Sequence, residues 1–356
     1  MPVCKGSVLS NTEKVLPLRF DNFTSLTRTP WAGHKIIRDV KKHLLGDTRL
    51  ERVGESWEFS LDPDFPSKLK SSGAFVGQWI QANEEYFYGK GEKKCEILVK
   101  LLNASQPLSL QVHPKDGDEN LVQGECGKPE SWYVLDAEPG SGLYLGFSQS
   151  LEKSELRAKI DAGEDLQELL QFVPVSKGDY FEIEPGVPHA IGPGVLLLEP
   201  QRVVSGMHGK TYRIWDWNRK YDKDGNLSPD GEKRQCHVEE ALRLIDPMKQ
   251  VGKEFLDSIQ KSPLGESDSC TSYPKNANYQ LHILKAQAGR LEVDLRGSFA
   301  VIYTICGEWR CDNETVTSGA SAVIPAGAFP LDLHCSGDCE IALLHPPHGE
   351  LQTSAT

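Results

Sequence analysis

Short apolar runs, each closed by a glycine-, proline- or aspartate-rich turn, recur along most of this chain, and that rhythm constrains the fold more than any other feature. Residues 97–102 read as one buried run, and 108–113 alternate apolar with polar. Further strands are expected at 131–135, 143–147, 179–183, 195–199 and 211–215. A second series follows at 280–285, 290–295, 299–306, 322–324 and 341–344. The 32 glycines and 22 prolines supply the turns between them. Glu138-Pro139-Gly140-Ser141-Gly142, between two strand-like runs, predicts a hairpin. Two stretches break the pattern. Leu156, Ile160, Leu166, Leu169 and Leu170 recur at near-helical spacing and predict a helix over 151–170 with Ser150 as its N-cap and a break at Gly163; a second helix is expected over 237–245, ahead of Asp246-Pro247. Residues 220–235 and 248–277 read as polar connections, the first a linker or a lid.

Composition narrows the partners. With 39 basic against 51 acidic side chains, the 356-residue chain carries a formal charge of -12. A general nucleic-acid or membrane-surface role is disfavoured, and an anionic ligand needs a local basic pocket. No apolar stretch approaches the length of a membrane span, and residues 1–9 lack the pattern of a secretion signal, so a cytoplasmic location is expected. The nine scattered cysteines fit free thiols. Cys306, Cys311, Cys335 and Cys339 have the wrong spacing for a zinc knuckle and read as small buried hydrophobes.

Two apparent ligand loops fail on their spacing. Gly140-Ser141-Gly142 joins two strands rather than a strand and a helix, and the calcium-like stretch from Asp116 has Leu121 where a glycine is required. The residues that do carry chemistry begin at Gln111-Val112-His113-Pro114, where period-two geometry puts an amide and an imidazole on one strand face. Glu130 opens the next strong strand, and His189 follows a proline-glycine turn. A strand histidine alone is more often structural. One amide, two imidazoles and one carboxylate together form a divalent-metal set that would leave Zn²⁺ with a charge of about +1, a catalytic rather than a structural balance. Residues 196–202 end an apolar strand at Glu199, and 210–219 mix cations with aromatics. On that strand Arg213 and Trp215 are expected to share a face. Arg213 and Arg219 suit a phosphate, or an ion pair with Asp216.

These segments resemble type I mannose-6-phosphate isomerase, a zinc enzyme family of the cupin superfamily. The likeness runs from Pro17-Leu18-Arg19-Phe20 and Trp31-Ala32-Gly33 through Gly54-Glu55-Ser56-Trp57-Glu58-Phe59 and residues 102–114 to Arg219, over the first two-thirds of the chain. It implies a mainly β fold of two cupin-type β-barrel (jelly-roll) units with a helical insertion. The catalytic unit is expected over 1–147 and 173–222, insertions over 148–172 and 223–260, and a second β unit without ligands over 275–350. The resemblance also implies one Zn²⁺ per chain on Gln111, His113, Glu130 and His189, an active-site Arg213, an acidic Glu199 near the reacting carbons, Lys128, and a later basic Arg219. Ser109, Trp132, Tyr133 and Lys210 are further candidates for contact with a hexose 6-phosphate.

The implied reaction is interconversion of mannose 6-phosphate and fructose 6-phosphate through a cis-enediol, with Glu199 as base and Lys128 as runner-up. The interval from Glu199 to Arg213 is longer than the family's, which adds Arg202 and His208 to the candidates. Two other readings stay open. An iron-dependent cupin oxygenase would use similar ligands, and a non-catalytic sugar-phosphate sensor would bind without turning over.

Overall fold

The computed structural model describes residues 13–355; residues 1–9 and Cys4 lie outside them. Two β units account for most of the chain, and each is a pair of sheets sharing one apolar core. In the first unit, one sheet runs Glu55–Phe59, Ile97–Asn103, Val195–Arg202, Glu130–Ala137, Tyr180–Ile183. The other runs Tyr212–Trp215, Leu110–Val112, His189–Ile191, Gly142–Phe147, Leu170–Pro174. Alternate residues of both sheets, among them Leu102, Trp132, Val134 and Leu197 from one and Leu143, Leu145 and Ile191 from the other, fill the space between. The second unit packs a seven-stranded sheet on a five-stranded one around Ile302, Leu343, Trp309 and Leu333. The fold is mainly β, as the strand rhythm implies, and its paired sheets are consistent with the cupin-type arrangement that the resemblance implies.

The outward faces of the two units meet. Val99, Leu101, Tyr133 and Leu198 of the first pack on Leu281, Ile283, Val301 and Tyr303 of the second. Several polar groups buried in this seam are paired, as burial favours. Lys41 and Glu58, 0% and 1% exposed, form an ion pair at 2.6 Å; Ser56 and Ser321 donate to the same carboxylate at 2.6 and 2.8 Å. Burial pulls the Lys41 ammonium below its ordinary pKa, and Glu58 opposes that pull. The Tyr279 hydroxyl donates to the Pro200 carbonyl at 2.9 Å, and Ser131, at 2.6 Å, completes a chain begun by Tyr180 at 3.0 Å.

Within the second unit, His282 and His345 face each other with Nε2 atoms 3.0 Å apart. His345 Nδ1 lies 2.7 Å from the Pro346 carbonyl, and must therefore carry a proton. Its Nε2 is then the acceptor, His282 Nε2 the donor, and His282 Nδ1 accepts from the Ser272 hydroxyl at 2.8 Å. Every nitrogen is satisfied with both rings neutral. Burial pushes His282 to about 3 and His345 to about 4.

Several local expectations change. The stretch over 151–170 is α-helical across Lys153–Asp161 and adds a single 3₁₀ turn at Gln167–Leu169. Gly163, at φ 70°, ends the α-helical segment, and Leu170–Pro174 is a strand of the first unit's sheet. The N-cap is Glu152, while Ser150 donates to Met248. The turn at 138–142 does not make a hairpin. Glu130–Ala137 pairs with Val195–Arg202, and Gly142–Phe147 with His189–Ile191, so the turn carries the chain from one sheet to the other. Gly252–Ile259 is helical inside the expected polar connection, and Ile259 anchors it in the first core. Val76–Ala82 and Glu84–Tyr88 are helices the sequence reading does not anticipate; their aromatic and β-branched text suits strands, and burial of Trp79, Ile80 and Phe87 overrides it. Cys311, Cys335 and Cys339 are buried free thiols as expected, whereas Cys306 is exposed. Among the described residues no helix is long and apolar enough to cross a membrane.

Candidate functional site

Three strands of the first unit aim donors at one point. Gln111 lies directly across the ladder from His189 on one side and from Arg213 on the other, so the three side chains share a sheet face. His113 follows two residues after Gln111, and Glu130 enters from the facing sheet. Donor atoms of His113, Glu130 and His189 all lie within 4.8 Å of one another. His113 Nε2 stands 3.2 Å from one carboxylate oxygen of Glu130, and His189 Nε2 3.4 Å from the other.

The hydrogen-bond pattern around this cluster fits a metal centre. His189 Nδ1 lies 2.9 Å from the Val187 carbonyl and His113 Nδ1 3.2 Å from that of Lys210. A carbonyl only accepts, so both protons sit on Nδ1 and both Nε2 lone pairs are free. Those two Nε2 atoms and Glu130 Oε1 are buried without a hydrogen-bond partner. Burial, with the Lys128 charge adding to it, pushes His113 down to about 3, and burial likewise lowers His189, so both rings are neutral. Burial works to raise Glu130, but the Lys128 charge outweighs it and holds the carboxyl well below its usual range. Two neutral imidazoles with free Nε2 lone pairs and a carboxylate with one free oxygen, buried and convergent, fit a zinc ion, with the Gln111 amide on the same face as a fourth donor.

Beside the cluster opens a cavity of ≈ 350 Å³, lined by Ser109, Gln111, Lys128, Glu199 and Arg213 among the expected residues. Lys128 Nζ lies 3.2 Å from Glu130. Gln201 bridges the two carboxylates, its amide donating to Glu130 at 2.8 Å and Glu199 at 2.5 Å, while its own oxygen is buried and unpartnered. Trp132 N–H holds the other oxygen of Glu199 at 3.2 Å, and its ring stands edge-on to His189. Burial, reinforced by Glu130, pushes Glu199 up to about 8. Arg213 donates to the Gln235 carbonyl at 2.6 Å and leaves its Nε unpartnered.

Other expected residues lie elsewhere. Lys210 pairs with Glu125 at 2.6 Å, and Arg202 with Glu96 and Asp116. Arg219 is bound to Asp216 and Gln106 outside the cavity lining. Tyr133 turns to the seam against Tyr273. A bulge between Arg213 and Trp215 rotates Trp215 off the Arg213 face and into the core with Tyr212 and Ile214. His208 does line the cavity, 3.2 Å from Asp62. The sequence reading assigns no role to Arg28, Glu55, Trp57, Lys100, Gln201 or Arg234, all of which line it. Lys100 carried the one visible signal, a lysine inside a continuous apolar strand. A more open cleft of ≈ 760 Å³ beside Lys285 and Arg290 in the second unit is lined by none of the unpaired buried groups.

No protein-family profile matches the chain. Mannose-6-phosphate isomerase of Streptococcus mutans is 29% identical over 307 residues, which are 80% of this chain and 92% of that protein. The crystal structure of mannose 6-phosphate isomerase from Bacillus subtilis superimposes with a TM-score of 0.74 at 24% identity, covering 94% of this chain and all of the other. A zinc-bound mannose 6-phosphate isomerase gives 0.67 at 15% identity over the same 94%.

Proposed function

We propose, from the premise that the chain belongs to the mannose-6-phosphate isomerase family and is an aldose–ketose isomerase, that it interconverts mannose 6-phosphate and fructose 6-phosphate with one zinc ion on Gln111, His113, Glu130 and His189. One observation carries the reading. His113 Nε2, His189 Nε2 and Glu130 Oε1 are buried, convergent and without partners, an arrangement that costs stability unless a cation completes it. A bound zinc would supply Lewis acidity toward the sugar's carbonyl oxygen and its neighbouring hydroxyl.

The chain's own residues do the rest. Isomerisation of the opened sugar requires a proton to leave C2 and return at C1 through a cis-enediol. Glu199 is the base: Gln201 and Trp132 fix its two oxygens, and a carboxyl held near neutrality can both take and return a proton. Lys128, against Glu130, keeps a positive charge on the same wall. Arg213, one strand from Gln111, has a free guanidinium edge for oxygen charge that develops as the proton leaves. General-base catalysis contributes roughly 10²–10⁴-fold.

The test combines metal analysis with NMR of mannose 6-phosphate in D₂O. Expected are one zinc per chain, interconversion with deuterium entering from solvent, loss of both on chelation, and recovery on adding zinc. Undiminished interconversion by metal-free protein would refute the reading, and oxygen consumption with bound iron would favour the oxygenase.

A further inference from the structure

We propose that Arg28 is the residue that holds the phosphate of the substrate and so sets the preference for phosphorylated over free sugar. The inference rests on the isomerase reading and adds a recognition site that the sequence does not suggest.

Most cations around the cavity are already engaged. Lys128 faces Glu130, Lys100 lies 3.8 Å from Glu199, and Arg234 makes two hydrogen bonds to Asp216 at 2.7 and 2.6 Å. Arg28 and Arg213 are different: among the described residues neither has a carboxylate within 4 Å. Arg213 sits across the ladder from Gln111, at the metal end. Arg28 is exposed and lines the cavity beside Trp57, whose strand is three places from that of Glu130. Its guanidinium lies 5.6 Å from the Trp57 ring centroid and 4.9 Å from that of Phe65, two rings themselves stacked at 4.8 Å. Stacking aligns a guanidinium and leaves its N–H edge free, which is the edge that meets a phosphate. Asp62 and Asp64, which share this rim, face the His208 ring at 3.2 and 3.9 Å.

Sheet register gives the separation of the two ends. Trp57 pairs with Lys100, and Lys100 with Glu199; the strand Glu130–Ala137 is one step further. Three strand spacings put the Arg28 platform about 14 Å from the strand bearing Glu130. Allowing for side-chain reach at each end, that span suits an extended six-carbon sugar with its carbonyl at the metal and its phosphate at the mouth. A chain of formal charge -12 needs such a guanidinium, free of a direct ion pair although Glu55 shares its surroundings, to attract a dianion.

The test uses zinc-loaded Arg28→Met and Arg28→Lys. Met keeps an unbranched stem against Trp57 and removes the fork; Lys restores a charge without the planar edge. For Arg28→Met, the ratio of kcat/KM for mannose 6-phosphate to that for free mannose is expected to fall about 10- to 100-fold, mainly through KM. Competitive inhibition by inorganic phosphate should weaken in step, and Arg28→Lys should recover part of both. Equal losses on the two sugars, or an unchanged inhibition constant for phosphate, would overturn the assignment. Calorimetric titration with inorganic phosphate separates this from the isomerase reading. If the parent protein binds phosphate and Arg28→Met does not, Arg28 stands even should the parent fail to isomerise; if the parent does not bind phosphate, the assignment falls.

Discussion

Acidification should weaken this protein through a histidine pair remote from the cavity. His282 and His345 are 4% and 0% exposed, joined through their Nε2 atoms, and fully hydrogen-bonded only when both are neutral. Their folded pKa values, about 3 and about 4, lie below the ~6.5 of an unfolded histidine. The unfolded chain therefore binds more protons between those limits. Stability is full above ~6.5 and is lost as the pH falls toward 4. At pH 5 each ring costs about 2 kcal/mol, from 1.5 pH units at ~1.36 kcal/mol per unit, and the pair about 4 kcal/mol. Against a typical domain stability of ~5–15 kcal/mol the effect is large.

The perturbation is His345→Gln, which keeps a polar partner for His282 and removes one titrating ring. Urea unfolding followed by circular dichroism at pH 7.5 and at pH 5, compared within each protein, cancels groups common to both. The loss on acidification should be about 2 kcal/mol smaller in the variant. Superimposable pH dependences would refute the assignment of buried neutral rings.

His113→Ala should abolish both bound zinc, read by elemental analysis, and turnover; wild-type turnover in a zinc-free variant would exclude His113 as a ligand. Glu199→Gln should lower kcat by roughly 10²–10⁴-fold with KM little changed and stop deuterium entry at C2, whereas persistent exchange would move the base role to another group. Breaking the buried Lys41–Glu58 pair by Glu58→Gln should cost about 3–5 kcal/mol by leaving an unpaired ammonium. Lys41→Met in the same protein should restore much of that, and a double-mutant cycle with no coupling would show the pair to be idle.

What the sequence revealed depended on how far apart in the chain the answer lay. Gln111 and His113 are legible together because a strand repeats every two residues, and the structure has them on one face with His189 opposite. Arg28, Trp57, Lys100 and Glu199 could not be grouped that way, since they come from different segments and only strand register aligns them. The 138–142 turn illustrates the same limit. Its residues specify a tight turn correctly, but which strands pair is decided by the two cores on either side. The leucines of 151–170 serve first a helix and then a strand, because Leu156, Leu166 and Leu170 fill one core whatever backbone presents them. Nor could spacing distinguish Arg219 from Arg234. Both bind Asp216, but only Arg234 reaches the cavity wall.

The Tyr279 hydroxyl grips the carbonyl of Pro200, the residue between Glu199 and Gln201. The C-terminal β unit thereby clamps, from behind, the strand that presents Glu199 and Gln201. Substitutions that loosen the C-terminal half should blunt turnover before they unfold anything, because the first thing to slacken is the alignment of Glu199, the proposed base.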